Sequence, residues 1–462
     1  MIDSELMEST LSRAMSAGGE WAEVFVEDVT TMSAHLDDGR IEELGSRARR
    51  GAGIRVVKGD TTGFAHTSDL SPEGLATAAR TAGAVAAGGA SSTTVALGPM
   101  APATRPPVEV DPREVAKERK VGLLRAADEA GRAASDKITQ FSAGYSDSRR
   151  FIQVATTDGI HTSDLQTRCL ARASAIATGD AGMQTGYESV GRTVGFELFD
   201  DHDVTELARV AAEQAITKLS ARPAPRATLP VVIGPGGGGV MFHEACGHGL
   251  EADLIAKKAS VYAGRLGEMV ASDLVTLVDD GTMAGEWGNL GIDDEGRSAQ
   301  HNVLIRDGIL EDYLWDVLRA RKEGRASSGN GRRQSYQHLP MVRMTNTYLG
   351  NGSTDPADII ADTPEGIYVA GMGGGQVNTA TGDFVFGIRE AYLIEDGKIT
   401  EPIREGNLIG NGPEVLRQID AVGNDFAMGH PGMCGKDGQG VPVGDGTPTV
   451  RVPALTIGGT AG

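Results

Sequence analysis

Leu229-Pro230-Val231-Val232-Ile233-Gly234-Pro235-Gly236-Gly237-Gly238-Gly239-Val240-Met241-Phe242-His243-Glu244-Ala245-Cys246-Gly247-His248 decides how this chain is read. The apolar run over 229–233 predicts a buried strand. The glycines predict a turn, and a helix is predicted from about 238 to 255. That helix carries two imidazoles around a carboxylate. Such a set can bind a transition metal and place a proton acceptor beside the metal's water. The chain holds only 9 His among 462 residues, so the pairing does not follow from a His-rich composition.

The spacing is unusual. In the common H-E-x-x-H arrangement the histidines lie four apart and share one helix face. Here they lie five apart, which on a regular α-helix leaves their side chains about 140° apart. A π-type turn, or a break at Gly247, would bring them together. A distorted helix over 243–248 is therefore expected. Glu244 is the candidate general base, taking a proton from the activated water and passing it to the leaving amine. The plain alternative is a solvated carboxylate beside a histidine that binds nothing.

A third ligand is needed. Cys246 lies between the histidines, and Cys434 sits in the turn-rich segment Gly429-His430-Pro431-Gly432-Met433-Cys434-Gly435-Lys436. Two His, one Cys and one open position make a catalytic zinc pattern. The residues alone leave His430, Cys246 and Cys434 all in play. Any free cysteine can equally be a small buried hydrophobe. The glycine run lacks both G-x-x-x-x-G-K-[ST] and G-x-G-x-x-G, so a loop beside the metal is favoured over a phosphate cradle.

Working outward, 43 basic and 63 acidic residues give a net charge of −20, which argues against nucleic acid and anionic membranes as partners. Three scattered Cys suggest a reducing cytoplasm. The start lacks the pattern of a signal peptide, and no window suits a membrane-spanning helix.

The length predicts two domains, 1–222 and 227–462, in an α+β fold. The first is expected to be α/β with a mostly antiparallel sheet and flanking helices. Helices are predicted at 3–17, Pro72 to Val85, 113–134 and 203–219. Strands are predicted at 22–28, 31–36, 40–44, 52–58, 62–66, 138–144, 151–157 and 168–177, with a hairpin turn at Asp38-Gly39. Residues 91–112 read as an exposed connection and 221–226 as a linker. The second domain is expected to be β-rich, barrel- or sandwich-like, carrying the metal helix, with a further helix at 313–323. Arg332, Arg333, His338, Arg343, Asn346 and Asn411 read mostly as surface pairing and turn capping. Asp293-Asp294-Glu295 is a candidate contact to a ligand histidine, or a solvated acidic loop.

The stretch His243-Glu244-Ala245-Cys246-Gly247-His248-Gly249-Leu250-Glu251 resembles the HExxxH signature of the TldD/PmbA family, in its metal-bearing TldD branch. Residues 264–268, 274–281, 292–296, 329–333, 343–348, 373–377 and 409–413 are similar to family segments. So are 434–439 and 441–444, the family's C-terminal Cys motif. The likeness covers nearly all of 230–459 and is weaker before it, where 62–65 and Asp69-Leu70 match best. The resemblance implies a zinc-dependent peptidase with His243, His248 and Cys434 as ligands and Glu244 as the catalytic residue. It makes Cys246 a packed thiol. It also implies small or unfolded peptides as substrates, bound in extended form in a secluded site. The expected assembly is a heterodimer with a metal-free PmbA (TldE)-like subunit, or a homodimer. Two other functions stay open: an amidase trimming amino-acid groups from a small molecule or modified peptide, and a non-catalytic scaffold with a structural metal.

Overall fold

The computed structural model describes residues 2–86, 95–180 and 182–459. Of the connection expected over 91–112, residues 91–94 lie outside these.

Among the described residues, the first half is one mostly antiparallel sheet with four long helices. Helix α1 (Ser4–Met15) is capped by Asp3, whose carboxylate accepts from Leu6 N at 2.8 Å. Strands β1 (Trp21–Asp37), β2 (Arg40–Lys58) and β3 (Thr61–Thr67) follow. Then come α2 (Pro72–Val85), α3 (Lys117–Ala133), β4 (Ile138–Thr156), β5 (His161–Gly179), β6 (Gly182–Arg192) and α4 (Val204–Ser220). The sheet order is β3-β2-β1-β4-β5, with β6 beside β5. The strands expected at 22–28 and 31–36 are a single strand, as are those at 138–144 and 151–157. Nothing at Asp28-Val29-Thr30-Thr31 breaks the ladder, and pairing runs straight through it on both sides.

Alternation along β1 assigns the two faces. Ala22, Val24 and Val26 pack with α1 and α2, while Ala34 and Leu36 pack with α3 and α4. All four helices therefore cover the same face. The odd-numbered residues Glu23, Phe25 and Glu27 lie on the other face, against the second half of the chain.

The second half is built around a closed ring. Strand β7 (Ala227–Ile233) precedes the glycine turn, and Val231 to Ile233 are buried, as expected. Further strands are β8 (Asn346–Leu349), β9 (Glu365–Val377), β10 (Asp383–Glu395), β11 (Lys398–Arg404) and β12 (Gly406–Asn411). The last are β13 (Gly432–Lys436), β14 (Gln439–Thr447) and β15 (Val450–Gly459). The order β9-β7-β15-β12-β10 closes because β9 also pairs with β10. This is the barrel expected from the sequence. Beside it lies a smaller sheet containing β8, β14 and the short strand Leu277–Asp280.

Several expectations are corrected. Residues 221–226 are not a free linker, because Arg222–Pro223 pairs with Ile403–Arg404 at the edge of β11. Helices Pro356–Ala361 and Gly412–Gln418 were not expected; Asp355 and Asn411 cap them. The helix expected at 313–323 is confined to Val317–Lys322, starting at its Asp316 cap.

Buried ion pairs bind the halves. Arg55 lies between Glu23 (2.9 Å) and Glu295 (2.5 Å). Arg333 pairs with the same Glu23, and Arg150 bridges Glu27 and Asp294, each at 2.8 Å. Removing one partner of such a set leaves a buried charge uncompensated. Glu23→Ala is expected to cost about 3–5 kcal/mol of stability, measured by chemical denaturation. A loss below about 1 kcal/mol would show that the seam behaves like a surface pair.

Candidate metal centre

The turn after β7 leads into helix α5 (Gly239–Phe242). The helix does not continue regularly. His243–Gly247 forms a π turn, in which His248 N–H donates to His243 O, and His248–Leu250 follows as a 3₁₀ turn. A short helix, α6 (Ala252–Ala256), completes the segment. The i→i+5 step brings the two imidazoles together, with ring centroids 5.3 Å apart and planes at 85°. Met241, Phe242, Ala245, Cys246 and Leu250 anchor the distorted turn in the main core. A Cβ at Gly247 would lie 2.2 Å from Met344 Sδ, so a larger residue there would force that side chain to move.

Cys434 arrives from the β13–β14 hairpin, opposite Val441. Arg343 fastens both strands, donating to Cys434 O and, at 3.2 Å, to Gln439 O. Cys434 Sγ lies 3.2 Å from His248 Nε2. One ligand atom from each of His243, His248 and Cys434 falls within 4.8 Å of the other two. All three residues are buried. Both ring nitrogens of His243 are buried without a hydrogen-bond partner, a cost that native interiors rarely tolerate.

The charges around this cluster are paired in a chain. His248 Nδ1 lies 3.0 Å from Glu251 Oε2. Lys436 Nζ donates to Glu251 and Asp253, each at 2.8 Å, and to Val342 O at 3.1 Å. Burial works against an ionised Glu251, yet His248 and Lys436 hold its carboxyl down to about 2. Burial likewise works against a thiolate at Cys434, but the two neighbouring imidazoles of His243 and His248 hold it down to about 4. Cys246 differs: burial pushes its thiol up to about 12, and it contacts Tyr262 instead of the cluster.

Glu244 Oε2 lies 3.6 Å from His248 Nε2, with its side chain 29% exposed. It is the open member of an otherwise closed group. Burial pushes Asp445 up to about 6, with His243 opposing and Glu244 adding to the rise. Asp445 lines a cleft of about 320 Å³ together with Val240, Met372, Gly373, Gly374 and Arg389.

Two sequence candidates lie elsewhere. His430 Nε2 accepts from Arg389 Nη2 at 2.6 Å, and Nδ1 faces Glu188 at 3.2 Å. It therefore holds Arg389 at the cleft and does not join the donors. Asp293-Asp294-Glu295 does not contact a histidine. Asp293 accepts from Glu295 N, Arg297 N and Gly331 N, while Asp294 and Glu295 pair with the first half's arginines. The carboxylate on a candidate ligand is Glu251, which the sequence reading left without a role. Its signal was its i, i+3 position after His248, and Lys436 signalled itself by sharing a strand face with Cys434. Arg332, Arg333, Arg343 and Asn346, read as surface residues, are buried. His338 pairs with Ser335, and Asn411 caps a helix.

Models of the PmbA/TldA metallopeptidase family match domain 1 at 22–86, the central domain at 110–219 and the C-terminal domain at 226–459. This chain belongs to the PmbA/TldD family. A metalloprotease TldD homolog of Haemophilus influenzae is 40% identical over 451 residues, covering 96% of this chain and 93% of that protein. A metalloprotease of Methanothermobacter thermautotrophicus is 36% identical, covering 96% of each. TldE of Thermococcus kodakarensis shares the fold, with a TM-score of 0.78 at 21% identity, over 98% of this chain and 100% of that one. Among the described residues no helix is long and apolar enough to cross a membrane.

For this PmbA/TldD protein the electrostatics predict a titration. In metal-free protein, the thiolate absorbance lost in Cys434→Ser is expected to have its midpoint near 4. The unfolded-state value is about 8.5. A depressed folded-state value contributes stability that is complete above about 8.5 and fades as the pH falls toward 4. A Cys434 midpoint above 8 would contradict this.

Proposed function

We propose that the protein is a zinc-dependent peptidase, with the ion held by His243, His248 and Cys434 and with Glu244 as general base. One observation carries this reading: three donors from two distant segments meet beside a half-open carboxylate, and one of them, His243, has no hydrogen-bond partner for either ring nitrogen.

The donor set fits the ion. Two imidazoles and a thiolate suit zinc, and they leave one tetrahedral position free. The competing cysteine and histidine are engaged with Tyr262 and Arg389, which favours an open site over a closed structural one. When bound, zinc supplies a Lewis acid that polarises the scissile carbonyl and acidifies water. The chain's own groups do the rest. Glu244 takes the proton of the attacking water and returns it to the leaving amine. Glu251 fixes the tautomer of His248 and the orientation of its ring. Lys436 keeps Glu251 charged.

The cleft supports an extended peptide as substrate. A register shift between Met372 and Gly375 leaves Gly373 and Gly374 outside the β9–β10 ladder, and both line the cleft. A substrate strand would pair with the backbone at this interruption. Small or unfolded peptides fit this mode. We further propose a heterodimer with a metal-free TldE-like subunit, whose shared fold supports pairing of like shapes. Three free cysteines suit a cytoplasmic setting.

Glu244→Gln is expected to retain its metal and lose hydrolysis by at least about 10²-fold, tested by metal analysis beside a peptide-pool assay. Full activity in that variant would rule out the assigned base. Cys434→Ser is expected to lose most of its metal. Glu251→Gln should weaken metal affinity by about 10- to 100-fold, read by competition with a chelator. An unchanged affinity would remove Glu251 from the site.

A further inference from the structure

A second cavity, of about 400 Å³, opens where the odd face of the first sheet meets the β13–β14 hairpin. Five arginines line it, Arg49, Arg150, Arg168, Arg332 and Arg333, with Asp294 as the one carboxylate among the described lining residues. The sheet register makes this crowding unavoidable. Arg49 and Arg150 both stand opposite Val29, and Arg168 stands opposite Ser148 one pair along the same face. Such clustering of like charge destabilises a sheet unless something compensates it. In a chain with a net charge of −20 it is also out of keeping with the whole.

The compensation present is incomplete. Arg49 and Arg150 share Glu27, Arg150 also reaches Asp294, and Arg333 pairs with Glu23. Arg168 and Arg332 are only 4% and 3% exposed. Among the described residues neither makes an ion pair with a carboxylate. Arg168 donates to Trp287 O (3.0 Å), Gln166 Oε1 (3.0 Å) and Asn289 O (3.2 Å). Arg332 donates to Met344 O and, at 2.7 Å, to Pro442 O. Burial, and then the repulsion of Arg332, Arg105 and Arg150, push Arg168 well below the usual guanidinium range. Arg150 Nη2, Arg333 Nη1 and Arg333 Nε are buried with no hydrogen-bond partner, and Arg333 is 1% exposed. Desolvated cationic donors without acceptors are costly, and they remain only where the surroundings or a ligand offset them.

We propose that this cavity is a binding site for a small multivalent oxyanion, a phosphate or a carboxylate. Guanidinium forks match the oxygens of both. The volume suits a small molecule, and the walls come from both halves of the chain. Met433 and Val441 also line it. They adjoin Cys434 in sequence and in the hairpin ladder respectively. An anion here would bridge the first sheet to the hairpin that delivers the sulfur, without touching the proposed zinc site.

Isothermal titration calorimetry of the whole protein with inorganic phosphate, with citrate as the carboxylate probe and chloride as the control, tests this. The expected result is saturable one-to-one binding of phosphate or citrate, and the tighter of the two names the class of the natural ligand. Binding is expected to weaken about tenfold or more in Arg168→Gln, with circular dichroism unchanged. Arg49→Gln is the second variant. Its side chain is 42% exposed at the rim, and it decides alone if Arg168→Gln fails to fold. Binding should persist in Cys434→Ser. Three results would overturn the proposal: no binding beyond that of chloride, undiminished binding in folded Arg49→Gln, or loss of binding in Cys434→Ser, which would put the anion on the metal. None of these depends on peptidase activity.

Discussion

One backbone hydrogen bond, from His248 N–H to His243 O, sets the geometry of the centre. A regular helix would place these side chains about 140° apart. The extra residue in the π turn closes that gap. It also leaves Glu244 partly exposed while both imidazoles stay inside. Distorting a helix in this way sacrifices regular i→i+4 bonds. The apolar side of the segment offsets this, since Met241, Phe242, Cys246 and Leu250 are each no more than 1% exposed. The strand before the turn is fixed on both sides, by β9 and β15, so the helix has little freedom to rotate.

The second constraint is charge. A thiolate, an imidazole, a carboxylate and an ammonium lie buried in sequence from Cys434 through His248 and Glu251 to Lys436. Each group is stabilised by a neighbour of opposite tendency, which is how such groups stay ionised away from water. The hairpin contributes both ends of this series. Cys434 and Lys436 lie two apart on one strand face, and Arg343 grips the carbonyls that hold the hairpin in register. Position and charge state are therefore set by the same few elements.

Much of this was legible in the residues, for local reasons. Capped helices such as Pro72–Val85 and the long helix after Asp203 carry their start signals in sequence. The five-residue spacing forced a distorted turn, and resemblance singled out Cys434 from three candidates. What escaped reading depended on partners distant in sequence. Asp28-Val29-Thr30-Thr31 carries no sign that the ladder continues, because the partner strands decide it. Asp293-Asp294-Glu295 looked like a solvated or metal-side loop because its arginine partners lie in the first half. Glu251 was in view, but its importance depended on Lys436, 185 residues further along.

The order of the donors along the chain has a consequence for translation. His243, Glu244 and His248 leave the ribosome early in the second half, whereas Cys434 is made 186 residues after His248. The strand that completes the ring, β15, is made later still. A nascent polypeptide thus holds an incomplete trio, with neither its sulfur nor a finished barrel wall around it. The three side chains therefore cannot meet until nearly the whole chain has been made.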